Sequence, residues 1–579
     1  MRIRKITVKN FRNLRDVTIH PHNPLILCGE NNSGKSNLLH SLRLLFGTDA
    51  NRLALQITED DINEQALSEG EPWFTITVEL GRLQDHKELE AIFKERLGEE
   101  RGETFVSVKG EYRQGEDGDY AWKVTLQPTL GHESEPIQFN SRMTKAVPLY
   151  YLDAVRDADV ELRSTGRGLL AEVLRRVELT DEADEIIQKI SEANAALGSN
   201  ASIKTISDDI SSLLNSNMPG GLGKIYMGVA TEDPSQILRG IRMSLQRKED
   251  RRSFDISRHG TGAQNMILIA MFRYLLSEVK IGQPILAMEE PEAFLHVHAQ
   301  RSLFHELSKI RTPIVITTHS PTLVSSADPL SLVRLKPGKL GAVTSHQLQA
   351  ESLDANDRVL LARMMRSGRA DALFARSIIL VEGPCEVASI PAFAEFLGYD
   401  LDRDGISVLS ADGNSFSYIL NACNSSNFSI PSVVVFDADA LDKNNLFLLR
   451  EAFKSGLITK EVLDTGKKAT AAEKSRILED IGWIAAKSNF EEEVASAGYL
   501  EAIVEVIGQE GLSNHLERFL SEECKEKNPQ GVSAFLKNRR EGQKIKVPIA
   551  HKIASSVGLV KNVPACYANA IKRACEFAD

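Results

Sequence analysis

A chain of 579 residues, 42% apolar and 26% charged, has the composition of a globular protein of roughly two to four domains. Its formal charge of −11 excludes a uniformly basic nucleic-acid binder, so phosphate contacts would need a local basic face: Arg242–Arg252 (RMSLQRKEDRR) or Lys537–Lys546 (KNRREGQKIK), each equally readable as a solvated helix face. The sequence has no run near the ~18 apolar residues of a membrane span, no apolar signal core in MRIRKITVKNFRNLRD and no CxxC pair among six scattered cysteines, so we expect a cytoplasmic protein with reduced thiols and no membrane partner.

Residues 1–60 read as strand, strand, phosphate loop and helix. IRKITVKNF alternates apolar and polar residues, PLILCG is a short buried-strand run, and NLLHSLRLLFG has helical spacing closed by Gly47. Between the last two lies GENNSGKS, Gly29–Ser36, which fits G-x-x-x-x-G-K-[ST] in full and in the required strand-to-helix context. Its glycines let successive amides face a phosphate, Lys35 can reach the outer phosphates, and Ser36 can hold Mg²⁺. Gly29, Asn31, Asn32, Ser33, Gly34, Lys35, Ser36 and the following Asn37 are the expected nucleotide contacts.

Residues 73–150 contain alternating runs (WFTITVEL, TFVSVKGEY, YAWKVTLQP) that predict an antiparallel sheet beside the nucleotide core. From 160 to 216 the period changes to that of amphipathic helices, ending at MPGG; a helical arm or dimer-forming insertion and simple packing on the core both fit. The pattern of a nucleotide core returns from 254 to 340, with a helix over 262–278, the strand PILAMEE, a helix over 296–310 and the strand PIVITTH.

ILAMEEPE, Ile285–Glu292, is an apolar strand ending in carboxylates. An acid at a strand tip can orient the Mg²⁺ shell while its neighbour poises water against the γ-phosphate, which assigns Glu289 to metal and Glu290 to water. His319 ends the next apolar strand, where an imidazole can sense the γ-phosphate. HGTGAQN, His259–Asn265, opens a helix and offers Gly260, Gly262 and Gln264 to a phosphate. His296 and His298 invite a metal reading, yet they follow the acidic strand where a subunit-facing loop belongs.

Residues 346–372 are charged and helical in pattern and read as a linker. SIILVEG, EVASIPAFAEFLG, GISVLSADG and SVVVFDADA then alternate strand and helix, a second α/β unit on parallel strands, followed by mostly helical sequence to 579. SIILVEGPCE ends its strand at Glu382 with Glu386 one turn later, and SVVVFDADA ends at Asp437 and Asp439. Acids from two strand tips of one parallel sheet converge at its carboxyl edge, and their repulsion is relieved by a shared Mg²⁺ or Mn²⁺ ion. The glycine of ADGN, Asp412–Asn414, falls where the intervening strand turns towards that edge.

The first constellation resembles the ABC-type ATPase core of the chromosome-maintenance and RecF-like families, in the order phosphate loop, HGTGAQ, Glu-Glu-Pro, His319, with ITVKNFRNL similar to their opening hairpin. Glu289 stands where aspartate is commoner, and HGTGAQ lacks the usual Ser-Gly-Gly core. The resemblance implies ATP held between two heads, hence a homodimer or higher oligomer. VEGPCE with FDADA resembles the Toprim domain of topoisomerases, primases and small nucleases.

The two together resemble the OLD (overcoming lysogenization defect) family, including Gabija and retron-linked members. The expected fold class is therefore α/β: an ABC-type, RecF/chromosome-maintenance-like ATPase head over 1–345 with an inserted helical region at about 160–220, a linker over 346–372, and a C-terminal Toprim domain over 373–579. The family implies a metal-dependent DNA endonuclease or nickase of phage defence that uses ATP and Mg²⁺ or Mn²⁺, binds DNA, and can work with a co-encoded helicase or a reverse transcriptase and its nucleic acid. It further implies a second acidic cluster, which SNFEEEV offers at Glu491 and Glu493, and a lysine beside the scissile phosphate, Lys544 or Lys546; a charged amphipathic helix explains each equally well.

Overall fold

The computed structural model describes residues 1–115, 117–128, 135–153, 169–174, 183–217, 241, 243–246, 252–277, 282–338, 342–412, 416–437, 447–509, 529–538 and 540–578. The chain forms two compact units, one of 1–151, 285–292 and 297–579, the other of 152–284 with 293–296. Among the described residues, no helix is long and apolar enough to cross a membrane.

In the larger unit, the hairpin Arg2–Phe11/Leu14–Ile19 is antiparallel, with Val8 opposite Val17. Arg2–Phe11 also pairs with Trp73–Gly81, which continues through Glu103–Gln114 to Tyr120–Leu126, the antiparallel sheet the alternating runs predict. A second sheet runs in the order Val343–Gln347, Leu332–Pro337, Leu25–Cys28, Ile314–Thr317, Ile285–Glu289, Leu149–Leu152. Its central strands Leu25–Cys28, Ile314–Thr317 and Ile285–Glu289 are parallel, buried along their whole length and predominantly apolar, as strands covered on both faces must be.

The helix Lys35–Phe46 lies between the two sheets. Leu38, Leu39, Leu42 and Leu45, at helical spacing, share one core with Phe74, Ile76 and Val78 of the first sheet and Leu25, Leu27, Ala287 and Val315 of the second. Burial of each such leucine contributes roughly 1.5–3 kcal/mol, which pins the helix and the phosphate loop ahead of it.

Leu332–Pro337 pairs with the phosphate-loop strand, Arg334 beside Cys28, and Val343–Gln347 folds back on it antiparallel. The strand therefore continues two residues past 345, into the segment whose charged pattern reads as linker; Ala355–Met364 is helical. A third sheet, all parallel, has the order Ile406–Ser410, Ser377–Val381, Ser432–Phe436, Trp483–Ala485. Helices Pro384–Leu397, Arg540–Val560 and Ala565–Ala578 bury Ile390, Phe393, Ile549, Ile553 and Ile571 against it.

The smaller unit contains the helices Leu169–Leu174, Ala183–Ser199 and Ala201–Asn217, the short hairpin Ser244–Leu245/Phe254–Asp255, and the helix Thr261–Ser277. Part of the region read as an inserted helical arm, 160–168 and 175–182 included, lies outside the described residues.

Candidate functional site

The phosphate loop curls through left-handed backbone at Asn32 (φ 61°) and Gly34 (φ 87°). At Gly34 a Cβ would stand 2.8 Å from Leu14 Cδ2 and 2.9 Å from Asn13 Oδ1, so glycine is required by both conformation and space. Asn13 Nδ2 donates to Asn32 O at 3.0 Å, Asn37 Nδ2 donates to Asn13 Oδ1 at 2.8 Å, and Arg12 Nη1 donates to Asn37 Oδ1 at 3.0 Å. The turn of the opening hairpin thus braces the loop from outside, a role that FRNL does not advertise in sequence. Asn37 is part of this brace.

Lys35 is buried, and its ammonium donates to Gly29 O (3.0 Å), Glu30 O (2.7 Å) and Ser33 Oγ (3.2 Å). Burial holds its pKa down at about 8, against the pull of Cys28, Glu290 and Glu30. Asn31, Asn32 and Ser36 are exposed at the mouth of the loop. Glu289 ends its strand buried, while Glu290 adopts φ 40°, a strained backbone fixed by donation of its amide to Thr317 O at 3.0 Å. Its carboxylate reaches 3.7 Å from His319 Nε2. The pKa of His319 is lowered by burial first and by Lys35 second, and Glu290 opposes both.

The structure therefore gathers Gly29, Ser33, Gly34, Lys35, Ser36, Glu289, Glu290 and His319 about one loop. A glycine-lined cradle, a buried ammonium held by its carbonyls and acids at the adjacent strand tips form a donor set that fits a nucleotide phosphate with a hard divalent ion. Glu292, which the sequence reading left unassigned, lies directly behind His319: its Oε1 accepts the Thr318 hydroxyl at 2.5 Å and the His319 amide at 3.1 Å.

In the smaller unit, Gly260 and Gly262 flank the start of the helix Thr261–Ser277. A Cβ on Gly262 would lie 2.9 Å from Phe294 O, so a close backbone approach requires this glycine. Gln264 is buried, its Nε2 donating to Ile256 O (3.2 Å) and His259 O (2.9 Å), so it fastens the turn before the helix.

The acids of the third sheet form the second site. The Asp437 amide donates to Glu382 Oε1 at 2.9 Å, which ties together the tips of Ser377–Val381 and Ser432–Phe436. Glu386 is buried in the first turn of Pro384–Leu397; burial pushes its carboxyl up to about 7, Glu382 and Glu491 add to the rise, and Lys546 opposes it. Glu491, on Phe490–Val494, receives Lys546 Nζ at 2.5 Å. Glu493, two residues on, accepts the amides of Lys487 (2.5 Å) and Ser488 (3.0 Å). Tyr567 lies fully buried among these groups; burial raises its pKa well above 10, with Glu386, Asp437 and Glu493 adding to the shift.

Glu382, Glu386, Asp437, Glu491 and Lys546 thus share one carboxyl edge. Asp439, Gly413 and Asn414 lie outside the described residues, as does the side chain of Lys544, whose backbone belongs to Arg540–Val560. Asp412 turns away, paired with Arg369 through two bonds of 2.7 and 2.8 Å. Among the described residues no three of His, Cys, Asp and Glu stand as a ready-made ligand set, and this holds for His296 and His298. The donor chemistry, a buried Glu386 carboxyl with the Glu382 and Glu491 carboxylates near enough to add to the rise that burial causes, still fits a hard divalent cation.

Two contacts join the sites. Arg334 is fully buried, donating to Leu373 O (3.0 Å), Ala375 O (2.8 Å), Phe428 O (3.2 Å) and Ser429 O (3.0 Å). Arg376 pairs with Glu30 of the phosphate loop at 3.3 Å.

Residues 25–325 match the family model described as "AAA domain, putative AbiEii toxin, Type IV TA system", more than half of the chain. Residues 373–439 match "Overcoming lysogenization defect protein-like, TOPRIM domain". The chain is 28% identical over 464 residues to the "OLD nuclease" of Thermus scotoductus, covering 76% of this chain and 82% of that protein. It is 23% identical to the "Old nuclease" of Escherichia phage P2 (76% and 78% covered) and 23% identical to "Endonuclease GajA" of Bacillus cereus (76% of each). With an ATPase head and a Toprim domain both matched in order along one chain, this protein belongs to the OLD family of ATPase-Toprim nucleases.

Proposed function

We propose that the protein is a divalent-metal-dependent DNA endonuclease or nickase that cuts at the Toprim acids under control of ATP bound in the head. The observation that carries the reading is the convergence of Glu382, Glu386, Asp437, Glu491 and Lys546 on one sheet edge, supported by relatives named as nucleases.

Glu382, Glu386, Asp437, Asp439, Glu491 and Glu493 would hold Mg²⁺ or Mn²⁺, which supplies an activated water and charge stabilisation for the leaving 3′-oxygen. Asp437 and Glu382 fix each other through the amide-carboxylate bond, so the two strand tips present their oxygens together. Lys546, with Lys544 as its alternative, faces the developing negative charge on the phosphate. In the head, Lys35 and Ser36 bind the nucleotide with its ion, Glu289 orients that ion, Glu290 holds the attacking water, and His319 senses the γ-phosphate. Gly260 and Gly262 face the nucleotide of a second copy, and the helices Ala183–Ser199 and Ala201–Asn217 add to that homodimer. The Glu30–Arg376 pair supports regulation of cutting by nucleotide, and the family resemblance supports an effector role in antiphage defence, alone or with a co-encoded helicase or reverse transcriptase.

Incubation of supercoiled plasmid with the wild type and with Asp437→Ala, under Mg²⁺ or Mn²⁺ and varied nucleotide, tests the reading. Relaxed or linear product from the wild type alone supports it. Intact plasmid with both proteins, repeated with the product of the neighbouring gene, favours a DNA-binding protein whose Toprim unit is a scaffold.

A further inference from the structure

Three glutamates stand in Glu289-Glu290-Pro291-Glu292, and the ATPase reading uses two. Glu292 is only 8% exposed. Among the described residues no lysine, arginine or histidine pairs with it, and its Oε2 is buried without a hydrogen-bond partner. A carboxylate kept in such a place is held by its other oxygen, and that oxygen has two donors: the Thr318 hydroxyl at 2.5 Å and the His319 amide at 3.1 Å.

The bonds continue outward from there. Thr318 Oγ1 accepts the Ser320 amide at 2.9 Å, and Ser320 Oγ donates to Gln300 Oε1 at 2.7 Å while accepting the Leu323 amide at 3.2 Å. All three residues of the turn Thr318-His319-Ser320 are thereby fixed, and the origin of the network is a side chain of the neighbouring acidic loop. The same loop carries Glu290, whose carboxylate is 3.7 Å from the His319 ring. Glu292 thus joins the segment carrying Glu290 to the turn carrying His319.

We propose that Glu292 is the positioning residue for His319, setting the distance between the imidazole and Glu290 in the ATPase head. The proposal rests on the ATPase reading of Lys35, Glu290 and His319. Because both donors meet one oxygen, a glutamine can accept them equally, whereas alanine removes the acceptor and aspartate is one methylene too short to reach.

The test measures ATP turnover, ATP affinity and melting temperature for the wild type, Glu292→Gln, Glu292→Asp and Glu292→Ala. The expected result is a kcat loss of about tenfold to a hundredfold for Ala and Asp, the scale of a misplaced catalytic group, with ATP Kd changed by less than about threefold. Glu292→Gln recovers most of the wild-type kcat. Wild-type turnover in folded Glu292→Ala overturns the proposal, as does failure of Glu292→Gln at an unchanged melting temperature. A wild type that binds ATP without hydrolysing it overturns the ATPase reading itself, and the proposal with it.

Discussion

Glu30, the second residue of the phosphate loop, accepts from Arg376, the residue leading into the first Toprim strand, with Nη2 at 3.3 Å and Nε at 3.4 Å. The strand Ser377–Val381 leads directly into Glu382, so a side chain of the phosphate loop is linked through five strand residues to an acid of the proposed cutting centre.

The pair is partly exposed, Arg376 at 52% and Glu30 at 31%, so its loss costs below about 1 kcal/mol of stability. Its effect is expected in coupling. Arg376→Ala leaves ATP binding intact and diminishes the ratio of plasmid cutting with ATP to cutting without it, by about fivefold or more. The exchanged pair Glu30→Arg/Arg376→Glu partly restores the ratio. An unchanged ratio in Arg376→Ala removes this contact from the regulatory route.

Arg334 behaves differently because it is buried. Its guanidinium satisfies carbonyls of 373, 375, 428 and 429, and Arg334→Met leaves all four without this donor. A stability loss of about 2–4 kcal/mol follows from such orphaned buried groups, read as a lower urea midpoint. Arg334→Lys recovers only part, since one ammonium cannot reproduce the planar fork.

Glu386 sets a pH dependence. Its folded pKa of about 7 exceeds the unfolded 4.5, so the folded state holds the proton more tightly between those values. The stability it contributes is fully present below pH 4.5 and is lost as pH rises through 7, on the order of 3 kcal/mol in all. Without divalent ions, urea melts should show that decline, and Glu386→Gln should flatten it. Added Mg²⁺ or Mn²⁺ should stabilise the wild type more at pH 8 than at pH 6, because the site binds the ion only when deprotonated.

Much of this was legible in the sequence, for identifiable reasons. GENNSGKS is contiguous and dictated by phosphate chemistry, and the fully apolar runs before Glu289, Glu382 and Asp437 mark parallel strands ending at a ligand edge. Trp483–Ala485 escaped because three residues inside helical sequence carry no period. Arg334 reads as one polar residue in LVRLKP, and its partners are backbone carbonyls, which leave no trace in residue identity. Glu292 carries no signal of its role in the sequence, since only the fold shows that it turns back to Thr318.

The division of labour between the two sites is the central claim, and one measurement addresses it most directly: ATP turnover and plasmid cutting by the wild type, Asp437→Ala and Lys35→Ala, assayed side by side with Mg²⁺ or Mn²⁺. Asp437→Ala should abolish cutting while ATP turnover stays at the wild-type rate, and Lys35→Ala should abolish turnover and leave cutting unresponsive to ATP. Cutting by Asp437→Ala at the wild-type rate would contradict the account.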